Sequence, residues 1–370
     1  MVVTLDTLFV GAKLDQSLRE HFVRAHAQRP EDLLICASHT HYAPSLDETK
    51  PGLGLVDPEY FSHVVVQCSD LIDKVIARLG SPIAVKRGRG ASLAAINRRR
   101  LWVWPHIAYS RIRGPEVVMA PNASGALDPT IAAWMLEDSA RQPIALMWHY
   151  ACHPTGYPEQ YEVSPDFPGV VRDRLRAAYG STLPVLFFQG FAGDIRPRVP
   201  DERPLLRRAL RSVLLGPSFA GFSMASWRAW ANRLADDVEA AFKNSRTLSE
   251  PTTDGQVIAS AQYKVPLSRL IAVERADRFV RFQRLRLGSI VDLVAVAAEP
   301  LVGLLPLVPP GCTGTGYLGD PFGYWPCDRD RPYGGYEVRY FIKPFGLAGP
   351  LLPNLDALFV EGMSQLQALS

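Results

Sequence analysis

The sequence predicts an α/β protein: a mixed sheet core flanked by helices, a β-rich second half, and chemistry gathered at strand ends. Three observations carry that reading. Short apolar runs alternate with amphipathic stretches at helical spacing through the first part of the chain, the mark of layered strands and helices. Beyond residue 250 the helical patterns thin out and strand-like runs take over. Three apolar runs end at or near a histidine or a glutamate, and strand ends are where α/β proteins mount reactive side chains on a rigid frame.

Residues 2–8 read as a strand and 15–28 as a helix, with Leu18, Phe22, Val23 and Ala25 as its apolar positions. The run Leu33-Leu34-Ile35-Cys36-Ala37-Ser38-His39-Thr40-His41 has no Gly or Pro and reads as a buried strand. Strand alternation puts His39 and His41 on one face. Two converging imidazoles suit a borderline ion such as zinc; one structural and one exposed histidine is the alternative for an isolated pair. Asp57 is a helix N-cap with Pro58 at the first helical position. Tyr60, Val64, Cys68, Leu71, Ile72, Val75, Ile76 and Leu79 then recur at helical spacing up to Gly80. Residues 83–88 read as a strand. Residues 128–136 and 143–150 form a strand pair, the second running into Ala151-Cys152-His153-Pro154-Thr155. A helix over 166–179 and a buried strand over 183–188 follow, ending in Gln189-Gly190-Phe191-Ala192-Gly193-Asp194-Ile195-Arg196-Pro197. Residues 223–243 form a long amphipathic helix with Trp227, Trp230, Leu234, Val238 and Phe242 on one face. Strands over 256–266, 279–287 and 290–297 lead to Glu299-Pro300, a long loop spans 309–340, and a helix over 355–366 closes the chain.

The 370 residues, 47% apolar and 21% charged, have the composition of a globular protein, and residues 1–370 are read as one domain. A net charge of +3 is too small to argue for nucleic acid or an anionic membrane, and neither is expected as partner. The arginine-dense stretches 98–100 and 203–211 lack interleaved stacking aromatics. Five scattered cysteines without C-x-x-C read as reduced thiols. No apolar run reaches ~18 residues, so no transmembrane segment is expected. Without a signal peptide the chain reads as cytoplasmic, or as secreted or periplasmic if a signal-bearing amino terminus precedes it. The expected partner is a small molecule; oligomeric state is not legible.

Singly, His153 before Pro154 can be a turn residue, Glu299 before Pro300 an N-cap neighbour, and Tyr336 a packing residue. In order, Ser38-His39-Thr40-His41, Asn97-Arg98, His153-Pro154-Thr155, Phe188-Gln189-Gly190 with Gly193-Asp194 and Pro197, Ala298-Glu299, and Gly335-Tyr336 with Gly349-Pro350 resemble the successive motifs of the neutral/alkaline ceramidases. That resemblance runs over residues 2–365. It implies a zinc amidase that cleaves the N-acyl bond of a ceramide-like or other N-acyl, lipid-like substrate, with one zinc per chain. It implies His39, His153, Glu299 and Tyr336 as zinc ligands, and His41 and Arg98 as substrate-facing groups. Asp194 then orients a ligand histidine or caps its own turn.

The sequence also departs from those motifs. Arg196 stands where the ceramidases carry a serine, and either binds a substrate carboxylate or phosphate or blocks catalysis. The acidic and glutamine residues around the loop tyrosine are reduced to Gly334-Gly335-Tyr336-Glu337-Val338-Arg339. The sequence lacks counterparts of the family's opening strand and its carboxy-terminal β-sandwich, so an unfilled sheet edge is expected. Tyr317, Phe322, Tyr324 and Trp325 form either an apolar wall for an acyl chain or a packed surface loop. Other readings are a metal-dependent amidohydrolase or esterase acting on a smaller substrate, a non-catalytic ligand-binding relative, and a cysteine hydrolase using Cys152.

Overall fold

Two short parallel strands carry the first histidine motif into the interior. The computed structural model describes residues 1–78, 84–108, 111–204, 206, 209, 211–212, 216–247, 258–274, 277–288 and 290–368. The expected element ends at 79, 80, 83 and 256, and part of the arginine-dense stretch 203–211, lie outside those residues. Strands β1 (Val2–Leu5) and β2 (Leu34–Ala37) pair in parallel, Val2 opposite Leu34. All four β2 residues are buried, which is why the run carries no polar alternation. Helix α1 (Ala12–His26) joins them and buries Leu14, Leu18 and Phe22 at four-residue steps. Helix α2 (Pro58–Ile76) starts at the expected cap: the Asp57 carboxylate accepts the Glu59 and Tyr60 N–H groups, both at 2.9 Å. Its apolar face is only partly covered. Phe61, Cys68 and Ile72 are buried, while Leu71 and Val75 are 58% and 50% exposed.

The middle of the chain supplies β3 (Ala84–Ala91), β4 (Ala95–Trp102), a small hairpin of β5 (His106–Ala108) and β6 (Arg111–Arg113), β7 (Glu116–Asn122), β8 (Thr130–Glu137) and β9 (Pro143–Tyr150). Helix α3 (Phe167–Tyr179), β10 (Val185–Gln189), β11 (Ile195–Pro197), helix α4 (Met224–Lys243) and β12 (Arg246–Thr247) follow. A five-stranded mixed sheet runs β10–β9–β8–β3–β12, parallel only between β10 and β9. Helices α3 and α4 cover it with Phe167, Leu175, Trp227, Trp230 and Leu234 around Trp148. Gly88 lets α4 approach β3, since a Cβ there would lie 2.0 Å from the Ala241 carbonyl oxygen. A second sheet, β11–β4–β7, is antiparallel. A groove of 520 Å³ lies between β1 and β10, with Leu71, Ile72 and Val75 of α2 also on its wall.

The second half is β-rich as expected. Strands β13 (Ile258–Pro266), β14 (Phe279–Leu287) and β15 (Val291–Val296) form an antiparallel meander, packed by helix α5 (Leu355–Ala368) through Phe359 against Phe282. Strand β16 (Glu299–Pro300) pairs in parallel with β18 (Tyr324–Trp325), and β17 (Thr313–Thr315) joins the meander edge beside β15. So 309–340 is neither a surface loop nor an open wall. Tyr317, Phe322, Tyr324 and Trp325 are at most 3% exposed and belong to the core. Two- and three-residue strands in a Gly- and Pro-rich stretch carry no periodicity from which to read them. As expected, mixed sheets are flanked by helices; the described residues form several small sheets that pack around two cores. Among them no helix is long and apolar enough to cross a membrane.

Candidate metal centre

The ends of β2, β9 and β16 meet. His39 and His153 are fully buried, and their Nε2 atoms lie 3.0 Å apart. Glu299 Oε2 lies 3.2 Å from His39 Nε2 and 3.4 Å from His153 Nε2. Backbone stitching holds the turns together: His41 N–H donates to the Pro154 carbonyl at 3.2 Å, and Ser164 N–H to that of Tyr42 at 2.8 Å. Glu299 N–H donates to the Gly323 carbonyl at 2.8 Å, and Gly193 N–H to that of Pro300 at 2.9 Å.

The hydrogen bonds fix the tautomers. His39 Nδ1 faces the Leu8 carbonyl at 2.9 Å and His153 Nδ1 faces the Ala192 carbonyl at 2.8 Å. A carbonyl can only accept, so each Nδ1 carries the proton and each neutral ring turns a lone pair inward from Nε2. Glu299 Oε2 is buried without a hydrogen bond. Three acceptors thus face one another with no donor among them, in a dry place. Burial first, then the Arg98 charge and the neighbouring His39 and His41, hold the His153 pKa well below its usual range, so a second proton on that ring is disfavoured. A divalent cation fits what is missing: two imidazoles and a carboxylate are a zinc donor set, and a ligand histidine that donates its other N–H to a carbonyl is the usual orienting arrangement.

His41 reaches this cluster by a different route from the one expected. Strand β2 ends at Ala37, and His39 has a left-handed φ of 67°. A turn brings the two histidines together, not strand alternation. The ligand atoms of His39, His41 and His153 lie within 4.8 Å of one another. His41 is the exposed member. Its pKa is lowered by the surrounding protein and then by His39, Arg98 and Arg196, so the ring is neutral near pH 7.

Arg98 is buried and locked: Nε donates to Glu337 Oε1 at 2.8 Å and Nη2 to the Tyr324 hydroxyl at 3.0 Å. Arg99 donates to the other Glu337 oxygen at 2.8 Å. Burial raises the Glu337 pKa, but the two guanidinium groups outweigh it and hold the carboxyl below its ordinary value. Of the two roles considered for Asp194, its hydrogen bonds among the described residues favour capping of the turn over orienting a histidine. Its oxygens accept from Asn97 Nδ2 at 2.9 Å and Val302 N–H at 2.8 Å, while backbone carbonyls take the histidine Nδ1 protons. Asp194 ties the glycine-rich turn to the segment after Glu299, and burial pushes its pKa up to about 6. Arg196 is half-buried, donates to the Thr155 carbonyl at 3.1 Å and stacks on Phe219 at 4.7 Å. Burial and then Arg98 lower its pKa to about 10. Tyr336 starts a single π-turn (Tyr336–Tyr340), its ring 5.5 Å from that of Tyr324. The Cys152 thiol is buried, and burial raises its pKa well above the usual range, which argues against a thiolate nucleophile.

Two residues escaped sequence reasoning. Glu337 sits one position beyond Tyr336 and carries the acidic charge that the stretch seemed to lack. Asp166 was legible only as a helix start. It does accept the Phe167 N–H at 2.6 Å, but it also holds the loop after His153 by accepting Gly156 N–H at 2.8 Å, Tyr157 N–H at 3.2 Å and Trp227 Nε1 at 3.2 Å. The only local signal was Ser-Pro-Asp ahead of a helix.

No family model and no curated protein matches this chain. Solved structures do. The neutral ceramidase from Pseudomonas aeruginosa matches with a TM-score of 0.70 and 14% identity over 100% of this chain and 66% of that one. A ceramidase complexed with C2 matches with the same TM-score and identity, over 100% of this chain and 67% of that one. This chain therefore spans about two thirds of the length of those structures. At that identity the likeness is one of architecture, and the chain has a neutral ceramidase-like fold.

Proposed function

We propose that this protein is a zinc-dependent hydrolase that cleaves the amide bond of an N-acyl, lipid-like substrate. The observation that carries the proposal is the meeting of two inward Nε2 lone pairs and a carboxylate oxygen without a hydrogen bond, all within 3.4 Å at buried strand ends. The fold shared with two solved ceramidases supports a ceramide-like amide as the substrate class. His39, His153 and Glu299, with Tyr336 as a fourth ligand, are the residues for the ion. Zinc in such a set supplies Lewis acidity and a more acidic water.

The surroundings of the other residues support the remaining roles in this reading. His41 is neutral and open to solvent beside the cluster, so it can accept a proton and return it to the leaving amine. Arg98, held by Glu337 and Tyr324, keeps a fixed positive charge where an oxyanion develops. Asp194 keeps the Gly193 turn against the Glu299 segment. Arg196 offers a half-buried guanidinium, which suits a substrate with a carboxylate or phosphate on its amine side. The proposed unit is the single domain 1–370.

His153→Ala should lower zinc content by one ion per chain after chelator washing and re-dialysis, and should abolish hydrolysis of N-acyl amino acids and sphingoid amides. Unchanged zinc and turnover in that variant would reject the assignment.

A further inference from the structure

A second cluster lies on the first helix pair, away from the strand ends. His21 lies on α1, His26 is its last residue, and Asp73 lies near the end of α2. The Nε2 atoms of His21 and His26 are each 2.6 Å from the same oxygen, Asp73 Oδ1. The rings meet edge to face with centroids 5.7 Å apart. Five residues along a straight helix put two side chains on different sides. His26 closes the helix and nevertheless reaches Asp73 on α2, while the chain turns away after it at Ala27, whose φ is a left-handed 53°. The histidine side chains are 24% and 16% exposed and the carboxylate 47%, so two sheltered nitrogens face an open oxygen.

We propose that His21, His26 and Asp73 form a second metal site, for a divalent transition ion of the zinc class, which pins α1 to α2. Two imidazole nitrogens and one carboxylate oxygen select borderline ions over calcium or magnesium, which prefer oxygen cages. Both nitrogens now face one acceptor, so both must carry a proton; on binding the ion each neutral ring moves that proton to Nδ1 and turns its Nε2 lone pair to the metal. Around a tetrahedral ion with bonds of about 2.0–2.1 Å, ligand atoms sit roughly 3.4 Å apart. Reaching that from 2.6 Å takes a side-chain rotation of under about 1 Å at a part-exposed site. The open side of Asp73 leaves room for water as a further ligand. No residue is shared with the His39–His153–Glu299 centre, and none belongs to the motifs that resemble the ceramidases.

The test is equilibrium dialysis of the chelator-washed full chain against zinc chloride. The expected result is two ions per chain, with one in His26→Ala and one in Asp73→Asn, the affected site weakened at least tenfold. His63→Ala, an exposed α2 histidine outside the trio, should keep two. His153→Ala should keep the helix site and lose the other. Zinc should also raise the melting temperature of the native chain and of His63→Ala by more than that of Asp73→Asn, a variant that keeps the size and shape of the aspartate. Equal stoichiometry in the native chain and Asp73→Asn would overturn the proposal and leave an ion-paired clamp only. One ion in the native chain and none in His153→Ala would overturn it while leaving the strand-end centre standing. One ion in the native chain that is lost in Asp73→Asn and kept in His153→Ala would support it and reject the strand-end centre.

Discussion

Burying the Glu299 Oε2 atom without a hydrogen bond is costly unless a cation sits beside it. At the scale of single residues this is what separates a metal centre from a packed histidine pair, because the backbone carbonyls of Leu8 and Ala192 have already used the histidine protons. Arg196 and Glu337 mark where this chain departs from the resembling motifs. Arg196→Ser removes a half-buried guanidinium that makes one hydrogen bond to a carbonyl. It should lower kcat/KM for anionic N-acyl substrates about tenfold or more relative to neutral ones, and leave zinc content unchanged. The same substrate ranking in both proteins would put Arg196 outside the site. Glu337 pairs with Arg98 and Arg99 in a buried cluster, so Glu337→Gln leaves two cations short of a partner. The expected cost is about 3–5 kcal/mol, read from denaturant unfolding. A loss below about 1 kcal/mol would mean the arginines find other partners.

At the scale of elements, the centre depends on turns that follow strands more than on the strands themselves. Gly193 is a close joint of this kind: a Cβ there would lie 2.7 Å from the Glu299 carbonyl oxygen and 2.9 Å from Leu301 Cδ1. Gly193→Ala should therefore push the Glu299 segment away, cost about 1–3 kcal/mol and reduce zinc occupancy at the strand-end centre. Native stability with full occupancy would show that the segment tolerates the shift. The apolar runs and Asp57 made β2, β14, α2 and α4 legible, since β2 is a continuous apolar run and the others bury a face whose period the sequence displays. The turn that joins His39 to His41 was not legible. A histidine at a φ of 67° has no sequence signature, and strand alternation predicted convergence for the wrong reason. The 309–340 segment was illegible for a related cause: its short strands take their place from β15 and β16, not from any period of their own.

At the scale of the whole molecule, burial of charge sets the response to pH. Asp166 and Asp194 are both pushed from 3.8 to about 6, chiefly by burial, with backbone N–H groups opposing. The folded state then holds these protons to higher pH than the unfolded chain. Each group's contribution, about 3 kcal/mol, is full below 3.8 and lost as pH rises through about 6. His153, held neutral by burial and neighbouring charge, and His41, held neutral by the protein around its ring and then by His39, Arg98 and Arg196 although solvent reaches it, act oppositely: their contribution is present above 6.5 and lost as pH falls below it. Carbon NMR of the metal-free protein should show both aspartates titrating near pH 6 and both histidines still neutral there; ordinary midpoints near 4 for the aspartates would refute the burial account. Sequence alone determined the α/β layering and the β-rich second half and singled out His39, His153 and Glu299 as candidates, because apolar period and motif order are properties of the chain itself. Only the tertiary structure decided that these three meet without a donor, that Glu337 holds Arg98 and Arg99, that Asp166 holds the loop after His153, and that Asp194 anchors a turn. Those are contacts between residues far apart in the chain, and distance, tautomer and burial exist only once the chain has closed on itself.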